Sequence, residues 1–108
     1  MVGKSLGSLA APAVAQRGLP AIWLTPLLDD DKVVAALRAT SAPTLLVGGT
    51  GDPSWDCTVA RSLDLALHEV PDADHSMLLP GPLVISARVL GGVATAMEDF
   101  LDSLGATE

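Results

Sequence analysis

The stretch PTLLVGGTGDP, residues 43–53, says more about the fold than any other part of this chain. Its first half, TLLVGG, is a continuous apolar run, which is typical of a parallel strand covered on both faces. Its second half is rich in glycine, aspartate and proline, which favour a turn. We therefore predict a buried strand over residues 44–48 that ends in a loop containing Asp52.

Similar short apolar runs lie on both sides of this strand. Residues 20–28 (PAIWLTPLL) and 65–70 (LALHEV) predict two further strands, and the residues before Gly3 predict the end of a fourth. Helices are predicted over residues 6–17, directly after Asp31, over about 54–62, and from Leu83 onwards. Strands that are separated by single helices run parallel, through right-handed crossovers. The predicted fold class is therefore α/β, with a parallel sheet and flanking helices.

The predicted helices have three features of their own. Pro12 lies inside the first helix and should cost a hydrogen bond or cause a kink. Acidic residues precede the second helix, where the backbone dipole favours them. The last helix carries one apolar stripe at steps of three and four residues, formed by Leu83, Ala87, Leu90, Ala94, Met97, Leu101 and Leu104.

A pair of glycines, Gly91 and Gly92, lies in the middle of this last helix. Two glycines there cost about 2 kcal/mol relative to two alanines. Either a close approach of the helix to the sheet or a break in the helix would explain them.

The composition excludes several classes of function. Apolar residues make up 49% of the 108 residues, so the chain can bury a core. The net charge of −7 argues against nucleic acid or an anionic membrane surface as a partner, because both require a basic surface. No apolar run is long enough to span a membrane. Cys57 is the only cysteine, which excludes an internal disulfide and fits a cytoplasmic location.

Three side chains with catalytic potential follow three of the predicted strands. Ser5 follows the strand that ends near Gly3, Asp52 follows strand 44–48, and His75 follows strand 65–70. The carboxyl ends of parallel strands meet at one edge of a sheet, where ligands gather, so we expect the three side chains to lie together. His75 would then take the proton of the Ser5 hydroxyl, and Asp52 would hold the imidazole in the right tautomer.

The residues around Ser5 have two interpretations. Residues 3–7, GKSLG, match G-x-S-x-G, the tight turn that carries a hydrolase nucleophile, in which side chains at positions 3 and 7 would clash. The N–H of Leu6 would then point at the developing oxyanion. The same residues also match the end of a phosphate-binding loop, but that motif requires an earlier glycine that this sequence does not contain. The nucleotide interpretation also leaves His75 without a role.

The three segments GKSLGS, PTLLVGGTGDP and VPDADHS, in this order, resemble the C-terminal half of an α/β-hydrolase. The resemblance covers nearly the whole chain, and the short, lidless bacterial members are the most similar branch. It implies a serine hydrolase that uses Ser5, Asp52 and His75, with Leu6 as an oxyanion donor. It also implies a small-molecule substrate with an ester or related acyl bond, and no cofactor or metal.

The resemblance also indicates what this chain lacks. The strands that precede the nucleophile turn in the family, and the loop that supplies the second oxyanion N–H, have no counterpart in it. We therefore expect residues 1–108 to be a single partial domain with an open sheet edge, through which it self-associates rather than forming an active, stable monomer. One alternative is a non-catalytic remnant that serves as an interaction module. A remoter alternative is a P-loop nucleotide binder.

Other residues have competing interpretations. Asp56 is a rival for the acid, although its position suits a helix cap. Trp23 and Trp55 are each either substrate contacts or core residues, and Met77–Leu79 form either an apolar wall for the substrate or ordinary core packing. The remaining expectations are a structural role for His68, a solvated side chain for Lys4, a buried and inert thiol for Cys57, and surface carboxylates for Glu69 and Asp74.

Overall fold

Four parallel strands form the centre of the molecule in the computed structural model, which describes residues 1–105. The strands are β1 (Val2–Lys4), β2 (Ala21–Leu24), β3 (Thr44–Gly49) and β4 (Ala66–Val70), and they lie side by side in that order. Every neighbouring pair is parallel. The predicted α/β class with a parallel sheet is therefore confirmed.

The helices cover both faces of this sheet. A 3₁₀ helix (Ser5–Ala10) leads into α1 (Ala11–Gln16), and α2 (Asp31–Ala39), α3 (Cys57–Ser62) and α4 (Leu83–Gly105) follow. Side chains of α1, α2 and α3 pack with Trp23 and Leu46 in one core, whereas α4 packs on the opposite face with Ile22 and Val47. The helices α1, α2 and α3 lie in crossovers between sequential strands, and crossovers of the same hand place all three on the same face of the sheet. The helix α4 follows the last strand, so it can cover the opposite face.

The predicted strand at residues 44–48 is the best-shielded element of the sheet. All six residues of β3 are buried, because β3 lies between β2 and β4 and is covered by helices on both faces. This burial explains why its sequence is apolar throughout rather than alternating. The strand ends at Gly49, and the loop that contains Asp52 follows it directly.

The segment after β1 differs from the single helix predicted over residues 6–17. It begins as a 3₁₀ helix and becomes α-helical only at Ala11. Pro12 therefore lies in the first turn of α1, where a backbone N–H has no helical partner, and the expected loss of a hydrogen bond does not arise. Gly18 closes the helix as predicted, with a positive φ of 64°.

Aspartate side chains begin the next two helices. Asp30 accepts hydrogen bonds from the N–H groups of Lys32 (2.9 Å) and Val33 (3.1 Å), which confirms the acidic start predicted for α2. Asp56 accepts one from Val59 N (3.1 Å) at the start of α3. The third helix therefore begins later than residue 54.

The apolar stripe predicted for α4 shares only Met97 with the face that packs on the sheet. The residues in contact with the core are Ser86, Val89, Val93, Met97 and Phe100. Leu83, Leu90 and Leu101 of the predicted stripe are 79%, 50% and 52% exposed. The helix carries apolar residues on several faces, so the spacing of apolar residues alone does not identify the face that packs on the sheet.

Both explanations offered for Gly91 and Gly92 are also wrong. The helix continues unbroken through them, and a Cβ built on either would have open space around it. Nothing in the structure explains these two glycines.

Candidate active site

Ser5 lies at the sharp turn between β1 and the 3₁₀ helix. Its φ is 51°, in the left-handed region that non-glycine residues rarely adopt and that is enriched at functional sites. Gly3, two residues before Ser5, leaves room for the Trp23 ring on β2, because a Cβ there would lie 2.3 Å from Cζ3 of that ring. The expected clash at Gly7 is wrong, since a Cβ there would meet no atom within 4 Å.

A continuous chain of hydrogen bonds joins Ser5, His75 and Asp52. The Ser5 Oγ lies 2.6 Å from Nε2 of His75, and Nδ1 of the same ring lies 2.6 Å from Oδ2 of Asp52. Ser5 follows the carboxyl end of β1, Asp52 follows that of β3, and His75 follows that of β4. These are the strand ends at which the sequence predicted the three side chains.

The partners of the imidazole determine where its proton lies. A carboxylate can only accept a hydrogen bond, so the N–H at Nδ1 of His75 donates a hydrogen bond to Asp52. The other nitrogen, Nε2, then carries a lone pair that faces the Ser5 hydroxyl. The Ser5 O–H can donate to that lone pair, and its proton is therefore in place for transfer to His75.

The Asp52 carboxylate is fixed at both of its oxygens. While Oδ2 contacts His75, Oδ1 accepts a hydrogen bond of 2.8 Å from Ser54 N. The Asp52 side chain is only 1% exposed, whereas that of His75 is 39% exposed and Ser5 is half-buried. The acid is thus shielded from water while the hydroxyl and the imidazole remain open to a ligand.

Two hydrogen bonds join the loop that carries Asp52 to the loop that carries His75. Gly51 N donates to Ala73 O (2.9 Å), and the Thr50 hydroxyl accepts from Asp72 N (2.7 Å). Gly49 makes the close approach possible, because a Cβ there would lie 2.2 Å from Ala73 O. The glycines of the stretch that predicted β3 therefore also hold the acid next to the base.

Ser8 is a site residue that the sequence did not identify as such. Its hydroxyl donates to the Ser5 carbonyl (2.7 Å) and accepts from Leu27 N (3.1 Å), and the residue is fully buried. It therefore connects the turn at Ser5 to the loop after β2. A serine in the first turns of a helix has no pattern that distinguishes this role from ordinary packing.

Thr25 is the second residue that sequence reasoning missed. It follows Leu24, which pairs with Lys4, the residue before Ser5, and it has a positive φ of 44°. Its hydroxyl is buried and has no hydrogen-bond partner among the described residues. A strained backbone and an unpaired hydroxyl thus lie beside the turn that carries Ser5.

Leu6 is the residue expected to donate its backbone N–H to the oxyanion. Leu6 directly follows Ser5 in the first turn of the 3₁₀ helix, where N–H groups have no partner within the helix. Leu6 is 71% exposed.

Trp55 and its neighbours form a separate cluster. Trp55 is buried, and its indole N–H donates to Oε2 of Glu69 at 2.9 Å, while Arg61 lies 2.5 Å from Oε1. Partial burial acts to raise the pKa of Glu69, but the hydrogen bonds from Trp55 and Arg61 outweigh it and hold that pKa below its ordinary value. Burial and the nearby Glu69 charge raise the pKa of the Cys57 thiol, which makes it a poor nucleophile.

The structure decides between the alternative interpretations for most of the remaining residues. Trp23 and Trp55 are both core residues. Met77 is 5% exposed and packs in the second core, so it does not form an open wall, whereas Leu78 is 44% exposed. Glu69 is not a surface acid, since its side chain is only 15% exposed. His68 lies within β4, and Lys4 is exposed on β1.

Two kinds of feature are absent from residues 1–105. No group of three or more His, Cys, Asp or Glu side chains is placed to hold a metal ion. None of the helices there is both long enough and apolar enough to cross a membrane.

Comparison with known proteins adds no family assignment. The chain matches no protein-family model, and no curated protein is significantly similar to it.

Proposed function

We propose that this protein is a serine hydrolase of the α/β-hydrolase type, acting on an ester or related acyl bond. The observation that carries the proposal is the hydrogen-bonded chain from Ser5 through His75 to Asp52, with Ser5 on a strained strand-to-helix turn. A hydroxyl, an imidazole and a buried carboxylate in this order make up the machinery of acyl transfer through a covalent intermediate.

The reaction would proceed in two halves. Ser5 Oγ attacks the carbonyl carbon of the substrate while its proton passes to Nε2 of His75, and Asp52 stabilises the resulting imidazolium. The tetrahedral intermediate collapses, the alcohol leaves with the proton from His75, and an acyl-Ser5 ester remains. Water then attacks that ester with His75 again as the base, which releases the carboxylic acid and restores the Ser5 hydroxyl.

The oxyanion of the tetrahedral intermediate needs hydrogen-bond donors. The Leu6 N–H supplies one, as expected for the residue after the nucleophile. Loss of one of two donors costs about 10²- to 10³-fold in kcat. The Leu6 N–H would therefore account for a large part of the rate.

The charge and exposure of the site favour a small, uncharged substrate. The net charge of −7 opposes anionic substrates and nucleic acids. Because Ser5 and His75 are both reachable from solvent, a small ester can approach the hydroxyl without displacing a lid. We propose that the protein acts in the cytoplasm and that the reaction needs no cofactor.

Hydrolysis of a p-nitrophenyl ester tests the proposal. Ser5→Ala should leave at most the residual rate of about 10³-fold over water that binding and oxyanion contacts supply. Ser103→Ala is the matched control, because Ser103 lies on α4 and its hydroxyl bonds only to Phe100 O. Equal turnover by the wild type, Ser5→Ala and Ser103→Ala would contradict the proposal and favour a non-catalytic interaction module.

A further inference from the structure

The Asp74 side chain forms hydrogen bonds across the loop that carries His75. Oδ1 of Asp74 accepts hydrogen bonds from the backbone N–H groups of Ser76 and Leu78, each at 2.9 Å. The backbone of the same residue bonds twice more, from Asp74 N to Leu78 O (3.0 Å) and from Met77 N to Asp74 O (2.9 Å). Asp74 thus makes four hydrogen bonds within a segment of five residues, and His75 lies inside that segment.

This segment is also anchored at its far end. Met77 adopts a positive φ of 61° and inserts its side chain into the core with Val70 and Ala73. Leu79 N donates to the hydroxyl of Ser86 on α4 at 3.0 Å. The loop therefore has fixed ends, and the Asp74 carboxylate fixes its middle, from which the imidazole extends to Asp52 and Ser5.

We propose that Asp74 is the positioning residue of His75. Its Oδ1 holds the backbone on both sides of the loop so that Nδ1 of His75 stays within 2.6 Å of Asp52. The role belongs to the acceptor oxygen and not to the negative charge, because both side-chain hydrogen bonds come from neutral backbone N–H groups. The consequence for rate rests on the proposed function, whereas the consequence for the geometry of His75 does not.

Two substitutions separate the acceptor from the charge. Asp74→Asn keeps an oxygen that can accept from Ser76 N and Leu78 N but removes the charge. Asp74→Ala removes both. Asp74 is exposed, so neither substitution creates a cavity, and both variants are expected to fold.

Proton NMR of the full chain gives a readout that does not depend on activity. The imidazole N–H of His75 that bonds to Asp52 should give a low-field resonance protected from exchange, and the ring signals of His68 in β4 serve as an internal control for folding. We expect Asp74→Ala to lose this resonance and Asp74→Asn to retain it, with His68 unchanged in both. An unchanged resonance in Asp74→Ala, or its loss in both variants, would overturn the proposal.

The rate of inactivation by a serine-directed phosphonate links this geometry to chemistry. A displaced base should slow inactivation of Asp74→Ala by about 10- to 100-fold, while Asp74→Asn stays close to the wild type. If the wild type is not labelled but the NMR difference is present, the proposed function fails and the role of Asp74 stands. If Ser5 is labelled equally fast in the wild type and Asp74→Ala, the role of Asp74 fails and the proposed function stands.

Discussion

At the scale of single residues, the structure separates side chains that the sequence presents as equivalent. Asp52 and Asp56 both follow β3, yet Asp52 contacts His75 while Asp56 caps α3. The difference comes from the turn after Gly49, in which Ser54 N and Trp55 N fold back onto Asp52. That turn points the first carboxylate at the imidazole and leaves the second at the start of a helix.

Substitution of these two aspartates tests this division of roles. Asp52→Asn should reduce kcat by about 10⁴-fold, because the amide donates to Nδ1 of His75 and forces the proton onto Nε2, which can then no longer accept from Ser5. Asp56→Asn should have little effect, since asparagine caps a helix as well as aspartate does. Steady-state ester hydrolysis measures both, and a crippled Asp56→Asn beside an active Asp52→Asn would show that the acid is assigned to the wrong residue.

At the scale of elements, the strands were easier to predict than the packing between elements. β3 is predictable because a strand buried on both faces must be apolar throughout, and the glycine- and aspartate-rich residues after it fix where it ends. The packed face of α4 is not predictable, because apolar side chains lie on several of its faces. Ser5, Asp52 and His75 can be placed at strand ends from topology, whereas the contact of Ser8 with Leu27 N is distant in sequence and the buried, unpaired hydroxyl of Thr25 leaves no local pattern.

The ion pair between β4 and α3 leads us to predict how the stability of the fold depends on pH. Glu69 on β4 binds Arg61 of α3, and its pKa lies below the ordinary value of 4.5. The ionised form is therefore favoured by folding, so its contribution to stability is complete above pH 4.5 and is lost as the pH falls through the lowered pKa of the folded state.

Thermal melting of the wild type and Glu69→Gln checks this prediction. At pH 7 the substitution should lower Tm by about 5 °C, because a loss of about 1 kcal/mol shifts Tm by roughly that much in a domain of this size. The difference should shrink as the solution is acidified below pH 4.5. Glu98→Gln, on an exposed part of α4, is the control and should melt like the wild type. A Tm difference that grows on acidification would show that the pKa of Glu69 is not lowered in the fold.

At the scale of the whole molecule, β1 is, with β4, one of the two edge strands of the sheet formed by the described residues. The strand β1 has only three residues, of which Val2 is 53% exposed, and the exposed Leu6 (71%) and Leu9 (52%) follow it. A cleft of about 50 Å³ next to it is lined by Met1, Val2 and Leu101, among others. An unpaired strand beside apolar surface is a template for pairing with another chain.

We therefore expect the chain to self-associate through β1. Size-exclusion chromatography with light scattering should give a mass above the 11.0 kDa of one chain, rising with concentration. Val2→Lys should shift the protein towards the monomer, because a charge on an edge strand opposes pairing. Leu83→Lys, at the 79% exposed start of α4, should not. A wild type that stays at 11.0 kDa at every concentration would contradict this expectation.

Covalent labelling with a serine-directed phosphonate tests the central claim most directly, because it needs only an activated hydroxyl and not complete turnover. Peptide mass spectrometry of the labelled chain locates the adduct. We predict a single adduct on Ser5, absent from Ser5→Ala and formed much more slowly in Asp52→Asn, since the base that activates the hydroxyl is then in the wrong tautomer. A wild type that is not labelled at Ser5 under conditions that label known serine hydrolases, or equal labelling of Ser5→Ala, would contradict the claim that Ser5, His75 and Asp52 form a working nucleophile.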